Sequence, residues 1–220
     1  MKEFKQLHRP ETGTYLKGQE RIENILQAAT DILINHGYAG LSMRKIASNV
    51  GITIGNLHYY YPTKKDLITN LLENVISGYL EYFETIRKQQ DKSAEDRLLE
   101  IITFIIEDIT TPETTNFFPE LWAMSNHDSV VAERMNDLYG KARQDINALV
   151  AELNPKLNDD ERTQVSLFIS ASMEGLTPFI GNNKPFHPLA QNMINIAKYS
   201  FLNLAKNADS KLLASGKFTL

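Results

Sequence analysis

The sequence predicts an all-α fold, and three observations carry that prediction. Apolar residues recur every three or four positions in one segment after another. Residues that cap or break helices separate the segments, among them Ser42, Gly51, Thr53, Pro62, Thr63, Pro112 and Pro155. No alternating strand pattern, internal repeat or low-complexity tract interrupts the succession. The chain of 220 residues is 42% hydrophobic and 23% charged, as a folded domain with an apolar core requires.

Residues 1–18, with Pro10, Gly13 and Gly18 among scattered polar side chains, read as an N-terminal arm. From Gln19 onward, Ile22, Ile25, Leu26, Ala29, Ile32 and Leu33 fall on one helical face, and His36-Gly37 closes this first helix with a C-cap glycine. Ser42 caps a second helix, with Ile46, Ala47 and Val50 on one face and Arg44, Lys45, Ser48 and Asn49 on the other. Gly51 ends it, and Thr53 caps a third, very short helix that reaches about Tyr60 before Pro62 breaks it. Thr63 opens a long fourth helix striped by Leu67, Ile68, Leu71, Leu72, Val75, Ile76, Leu80 and Phe83. Further helical segments at about 94–110, 115–126, 128–153, 159–181 and 187–207 bring the expected total to about nine.

There is no cysteine, which removes disulfides, thiolate metal sites and cysteine nucleophiles together. The start, MKEFKQLHRP, lacks a secretory apolar stretch, and the longest apolar run, residues 101–106, is far below the ~20 residues that span a bilayer, so a cytoplasmic protein without membrane contact is expected. The net charge of −4 is unevenly spread. Residues 1–65 hold nine Lys or Arg against five Asp or Glu, while the remainder holds 14 against 22. A basic front on an acidic body can bind a polyanion at one end, because local field steers association.

A helix, a short turn containing glycine and a second helix form the helix-turn-helix pattern, whose second helix enters the DNA major groove. Here Ile46, Ala47, Val50 and Leu57 are apolar where the two helices meet, while Asn56, His58 and Tyr59 face away. The stretch LSMRKIASNVGITIGNLHYYYPTKKDL, preceded by NHGYAG, resembles the DNA-binding domain of the TetR family of bacterial transcriptional regulators. The matching positions are Ser42, Arg44, Ala47, Gly51, Thr53, Gly55, Asn56, Leu57, Tyr60, Tyr61 and Lys64. Family members usually carry tyrosine where this chain has His58 and phenylalanine where it has Tyr61. A buried Tyr61 therefore needs a partner for its hydroxyl.

Asn56 and His58 are the expected base readers, since an amide pairs bidentately with adenine and an imidazole can donate to a purine N7. Ser42, Thr53, Tyr59, Tyr60 and Lys64 are expected to hold phosphates, Arg44 to join the same surface, and Gly55 to let the helix approach the groove closely. The resemblance implies a domain order of arm (1–18), helix-turn-helix domain (19–72) and a larger helical ligand-binding and dimerisation domain (73–220).

One short recognition helix touches only a few base pairs, so a homodimer on a palindromic double-stranded operator is expected. The resemblance implies that the last two long helices pair with their symmetry mates, through Phe168, Ser172, Leu176, Ile194, Ala197 and Phe201. Periodicity alone allows the same residues to be ordinary core. Phe104, Asp108, Phe118, Trp122, Tyr139, Met173 and Glu174 are the candidates for a pocket that binds an unidentified small-molecule effector, with Glu174 placed to face a cation framed by aromatic rings. These side chains would equally suit a plain core. The expected function is a ligand-responsive repressor that releases its operator when the effector binds. The five histidines lack metal-ligand spacing and no catalytic motif is present, so neither an enzyme nor a cofactor is expected. The competing reading is a helical protein-interaction module without specific DNA binding.

Overall fold

The computed structural model describes residues 13–89 and 91–215, and among them every regular element is helical. In chain order the helices are α1 (Gly13–Gly40), α2 (Met43–Val50), α3 (Ile54–Tyr60), α4 (Lys64–Arg87), α5 (Ala94–Ile109), α6 (Pro112–Ser125), α7 (Ser129–Leu153), α8 (Asp159–Glu174), α9 (Thr177–Ile180), α10 (Ala190–Asn207) and α11 (Ser210–Ser215). A single 3-10 turn, His187–Leu189, leads into α10. The expected helix over 159–181 is thus divided: α8 ends at Gly175, and Pro178 sits in the first turn of the separate α9. The short α11 lies outside the expected set because its few apolar residues give no periodicity.

The N-terminal expectation is corrected in part. Helix α1 starts at Gly13, so residues 13–18 are helical and do not belong to an arm, while residues 1–12 lie outside the described residues. Glycine and polar residues hide this turn from a search for apolar periodicity, since a helix can begin before its buried face does. At the other end, Gly37 leaves helical geometry at φ 64 and ψ 178, a left-handed φ that favours glycine. The helical path resumes briefly to Gly40.

Capping sets the next boundaries. Ser42 accepts a hydrogen bond from the Lys45 amide through its side chain, and Gly51, at φ 70, ends α2 in the left-handed conformation. Thr53 accepts from the Asn56 amide to open α3. At the start of α4, Thr63 Oγ1 accepts from the Asp66 amide at 3.1 Å while the Thr63 amide donates to Asp66 Oδ2 at 3.0 Å, a reciprocal cap. Each short helix begins and ends on its own local signal.

The described residues form two compact units. One comprises the chain up to Tyr79 together with Asn116–Asn136, and the other Leu80–Thr115 together with the chain from Asp137 onward. In the first, Ile25, Ile32, Leu33, Ile46, Ala47, Leu57, Leu67 and Leu71 are buried and fix α1 to α4 around one apolar centre. In the second, α10 packs on α5, and α8 packs on both. Leu98, Ile101, Ile102 and Ile106 of α5 are buried, as are Val165, Ile169 and Met173 of α8. The buried Asn154 side chain donates to Ala208 O at 2.9 Å, satisfying a polar group in that interior. Helices α4, α6 and α7 each begin in one unit and end in the other.

Three of the expected subunit-contact residues are part of this core. Ile194, Ala197 and Phe201 form the buried face of α10 together with Ala205. Their stripe is apolar because α5 needs it, and a side chain already enclosed within its own chain has no surface left for a second copy.

Candidate nucleic-acid interface and effector site

Helix α3 buries a single side chain, Leu57, and turns the rest of its surface outward. Asn56 and His58 are exposed, and Tyr59 is 80% exposed. Tyr60 meets Tyr59 edge-on with ring centroids 5.2 Å apart, so the two rings brace one another. Consecutive side chains on one turn cannot all face inward, and here the leucine takes the interior while the aromatic run takes the surface. The next tyrosine, Tyr61, is buried, and its hydroxyl donates to Asn70 Oδ1 at 2.6 Å. Burial pushes this phenol up to about 12, so it stays neutral.

Several details bear on what this surface can hold. The Ser42 and Thr53 hydroxyls use a lone pair in capping, which leaves each O–H proton available to an outside acceptor. A Cβ added to Gly55 would meet only Thr53 Oγ1, at 4.0 Å, so nothing within the chain crowds this glycine. Arg44 is exposed on α2, alongside Ser42. His58 Nδ1 lies 2.9 Å from Pro62 O; a carbonyl only accepts, so Nδ1 carries the proton of this contact and Nε2 is the ring nitrogen it leaves unused.

Lys64 is positioned by Tyr38, a residue that the sequence did not single out. Its ammonium lies 3.7 Å from the centre of the Tyr38 ring, and Nζ donates to Tyr38 O at 3.4 Å. Partial burial there lowers the pKa of the ammonium. Tyr38 and Ile54 are partly exposed apolar side chains of the same head.

The candidate effector residues fall into two sets. Asp108 of α5, Tyr139 of α7 and Glu174 of α8 act on one another in the second unit. Burial first and the Asp108 charge second push the Glu174 carboxyl up to about 7, against a hydrogen bond from Tyr139 that lowers it. Thr114 Oγ1 donates to Asp108 Oδ2 at 2.8 Å, so the first turn of α6 touches this acidic group. Phe104, one turn before Asp108 on α5, stacks on Tyr82 with ring centroids 3.7 Å apart. Met173 is buried beside Glu174 in α8. Phe118 and Trp122 belong to the first unit, where Phe118 meets Tyr79 edge-on at 5.6 Å.

The remaining expected contact residues lie on α8 and just after it. Phe168 is 59% exposed, while Ser172 and Leu176 are half-buried. On α10 the exposed apolar residues are Ile196 (56%) and Tyr199 (78%), on the side opposite the buried stripe. Leu167, Phe179, Phe186 and Leu189 are exposed in the same part of the chain. Among the described residues no helix is long and apolar enough to cross a membrane, and no group of three potential metal ligands comes together.

The capped turn, the short outward-facing α3 and the larger helical remainder define a helix-turn-helix regulator. The profile of bacterial regulatory proteins of the tetR family matches residues 25–71, and that of the C-terminal part of BetI-type transcriptional repressors matches residues 94–194. The chain belongs to the TetR family of bacterial transcriptional regulators. It is 28% identical over 124 residues to an HTH-type transcriptional regulator of Mycobacterium tuberculosis, a match covering 56% of this chain and 62% of the relative. It is 29% identical over 113 residues to a second such regulator of that organism, covering 51% of this chain and 46% of the relative. The chain therefore spans between about half and three fifths of the length of these relatives. Among solved structures, a TetR transcription regulator from Haloarcula marismortui has a TM-score of 0.68 at 18% identity, covering 85% of this chain and 97% of that one. A transcriptional regulator from Saccharomonospora viridis in complex with choline has a TM-score of 0.67 at 17% identity, covering 86% and 97%. At these identities the structures share the fold.

Proposed function

We propose that this protein is a ligand-responsive repressor that acts in the cytoplasm, binds a palindromic operator as a homodimer and releases it when an organic cation occupies the second unit. The head that reads DNA is the segment 19–72, and residues 73–220 bind effector and partner subunit. The observation that carries the reading is the outward face of α3, where Asn56, His58 and Tyr59 are exposed around one buried anchor, Leu57. Asn56 and His58 read base edges, and Ser42, Arg44, Thr53, Tyr59, Tyr60 and Lys64 hold phosphates. Dimerisation is supported by the exposed apolar residues of α8 and α10, Phe168, Ile196 and Tyr199, which in water favour a second copy.

The effector class follows from charge. A cation beside Glu174 would favour the ionised carboxyl that burial disfavours, Asp108 adds a second acid there, and the Tyr82–Phe104 stack supplies aromatic surface in the same unit. The choline bound by the Saccharomonospora regulator, and the BetI-type profile over residues 94–194, agree with that class. The test is gel-shift titration of the DNA upstream of the protein's own gene, in a salt series, with and without choline. Sequence-selective binding that weakens steeply with salt and is relieved by choline, but not by its uncharged isostere 3,3-dimethyl-1-butanol, is the expected result. Binding indifferent to salt would oppose the DNA reading, and equal effects of the two alcohols would oppose the cationic effector.

A further inference from the structure

The turn at Gly37–Tyr38, near the end of α1, is held by a carboxylate from a distant part of the chain. Glu120 of α6 accepts a hydrogen bond from the Tyr38 amide through Oε2 at 2.9 Å. Its carboxyl also lies against Gly37, where an added Cβ would stand 2.9 Å from Glu120 Oε1. Gly37 is required by its positive φ, and an added Cβ would also push this carboxylate aside. The residue so fixed, Tyr38, is the one whose ring and carbonyl hold the Lys64 ammonium. All four residues lie in the first unit.

The same helix is tied at its start to the acidic group of the second unit. Thr114 donates to Asp108, and Asn182 N donates to Thr115 Oγ1 at 2.7 Å. Six residues of α6, about 9 Å at the rise of an α-helix, separate Thr114 from Glu120. Pro119 removes a backbone hydrogen bond of α6 just before Glu120, and a hydrogen bond of this kind tolerates little change in length before it weakens, so the grip depends on where this part of α6 lies.

Resting on the DNA-binding reading above, we propose that Glu120 is a positioning residue for operator binding: by gripping the Gly37–Tyr38 turn it fixes the seat of the Lys64 ammonium, and it makes that phosphate contact depend on the position of α6. The contact is an unusual use of an acid in a DNA-binding head. By charge alone, a carboxylate near a phosphate clamp weakens DNA binding, so its removal would tighten the complex. Positioning predicts the opposite sign.

The experiment measures affinity for the upstream DNA, by fluorescence anisotropy over a salt series, for the full-length wild type and the variants. Glu120→Ala is expected to weaken binding about threefold to tenfold and to lower the salt slope by about one unit, as Lys64→Ala does. The double variant should lose no more than either single one, because both remove the same contact. Glu120→Gln, which keeps a carbonyl acceptor for the Tyr38 amide, should bind at least as well as wild type. Tyr38→Leu, at a partly exposed position, should reproduce the loss without touching Glu120 and serves if Glu120→Ala does not fold. Tighter binding by Glu120→Ala, an unchanged salt slope, or additive losses in the double variant would overturn the positioning role and leave the DNA reading intact. A wild type that binds no DNA would overturn both.

Discussion

Leu57 and Asn56 are neighbours in sequence and opposites in placement, and that opposition defines the head at the residue scale. The leucine anchors α3, and the asparagine side chain forms no hydrogen bond with another described residue, so its amide is free to pair with a base edge. Asn56→Ala should cost ~1 to 3 kcal/mol and relax preference at one base position, measured by competition among operators altered one pair at a time. A uniform loss across all of them would instead mark a phosphate contact. Glu174 offers a second prediction. Its folded pKa of about 7 lies above the ordinary carboxyl value of 4.5, so the folded state holds the proton more tightly than the unfolded one. The contribution of Glu174 to stability should be greatest at low pH, fall as pH rises from the ordinary value, and level off above about 7, with a loss of up to ~3 kcal/mol. Glu174→Gln should remove most of this dependence in thermal melts between pH 4.5 and 8. The same ionisation implies that a cationic effector binds more tightly as pH rises through 7.

Elements differ in how openly the sequence announces them. Ser42, Gly51, Thr53 and Thr63 act on neighbours three or four residues away, so the bounds of α2 and α3 can be read from local chemistry. Tyr61 is similar, since its need for a hydroxyl partner is legible and Asn70 of α4 meets it. Helix α10 shows where that legibility ends. Ile194, Ala197 and Phe201 share a stripe, and Ile196 and Tyr199 make a second apolar surface on the opposite side of the helix. Periodicity reveals an apolar stripe but does not say whether α5 or another chain will cover it. Tyr38 and Glu120 are invisible for a related reason: they are 82 residues apart, and no pattern in either segment refers to the other. If the exposed surface of α8 and α10 joins two copies, Phe168→Arg combined with Ile196→Arg should shift the protein from dimer to monomer in sedimentation velocity. Thermal unfolding of the monomer should remain cooperative, because neither side chain belongs to the core. A retained dimer would place the interface elsewhere.

At the scale of the whole molecule, charge and chain path divide the labour. The basic excess lies within residues 1–65 and the acidic excess in the remainder, so the end bearing α3 is the one that a polyanion meets favourably. Three helices, α4, α6 and α7, begin in one unit and end in the other. If the effector favours one disposition of these helices and DNA favours another, coupling follows from their differential affinities and works in both directions. The most direct test is a hydroxyl-radical footprint of the protein on the DNA upstream of its gene. Two protected patches related by a two-fold axis, their centres about one helical turn or a multiple of it apart, are expected, and Asn56→Ala should fade both together. A single protected patch, or protection that does not depend on sequence, would contradict a dimeric regulator that reads its operator through α3.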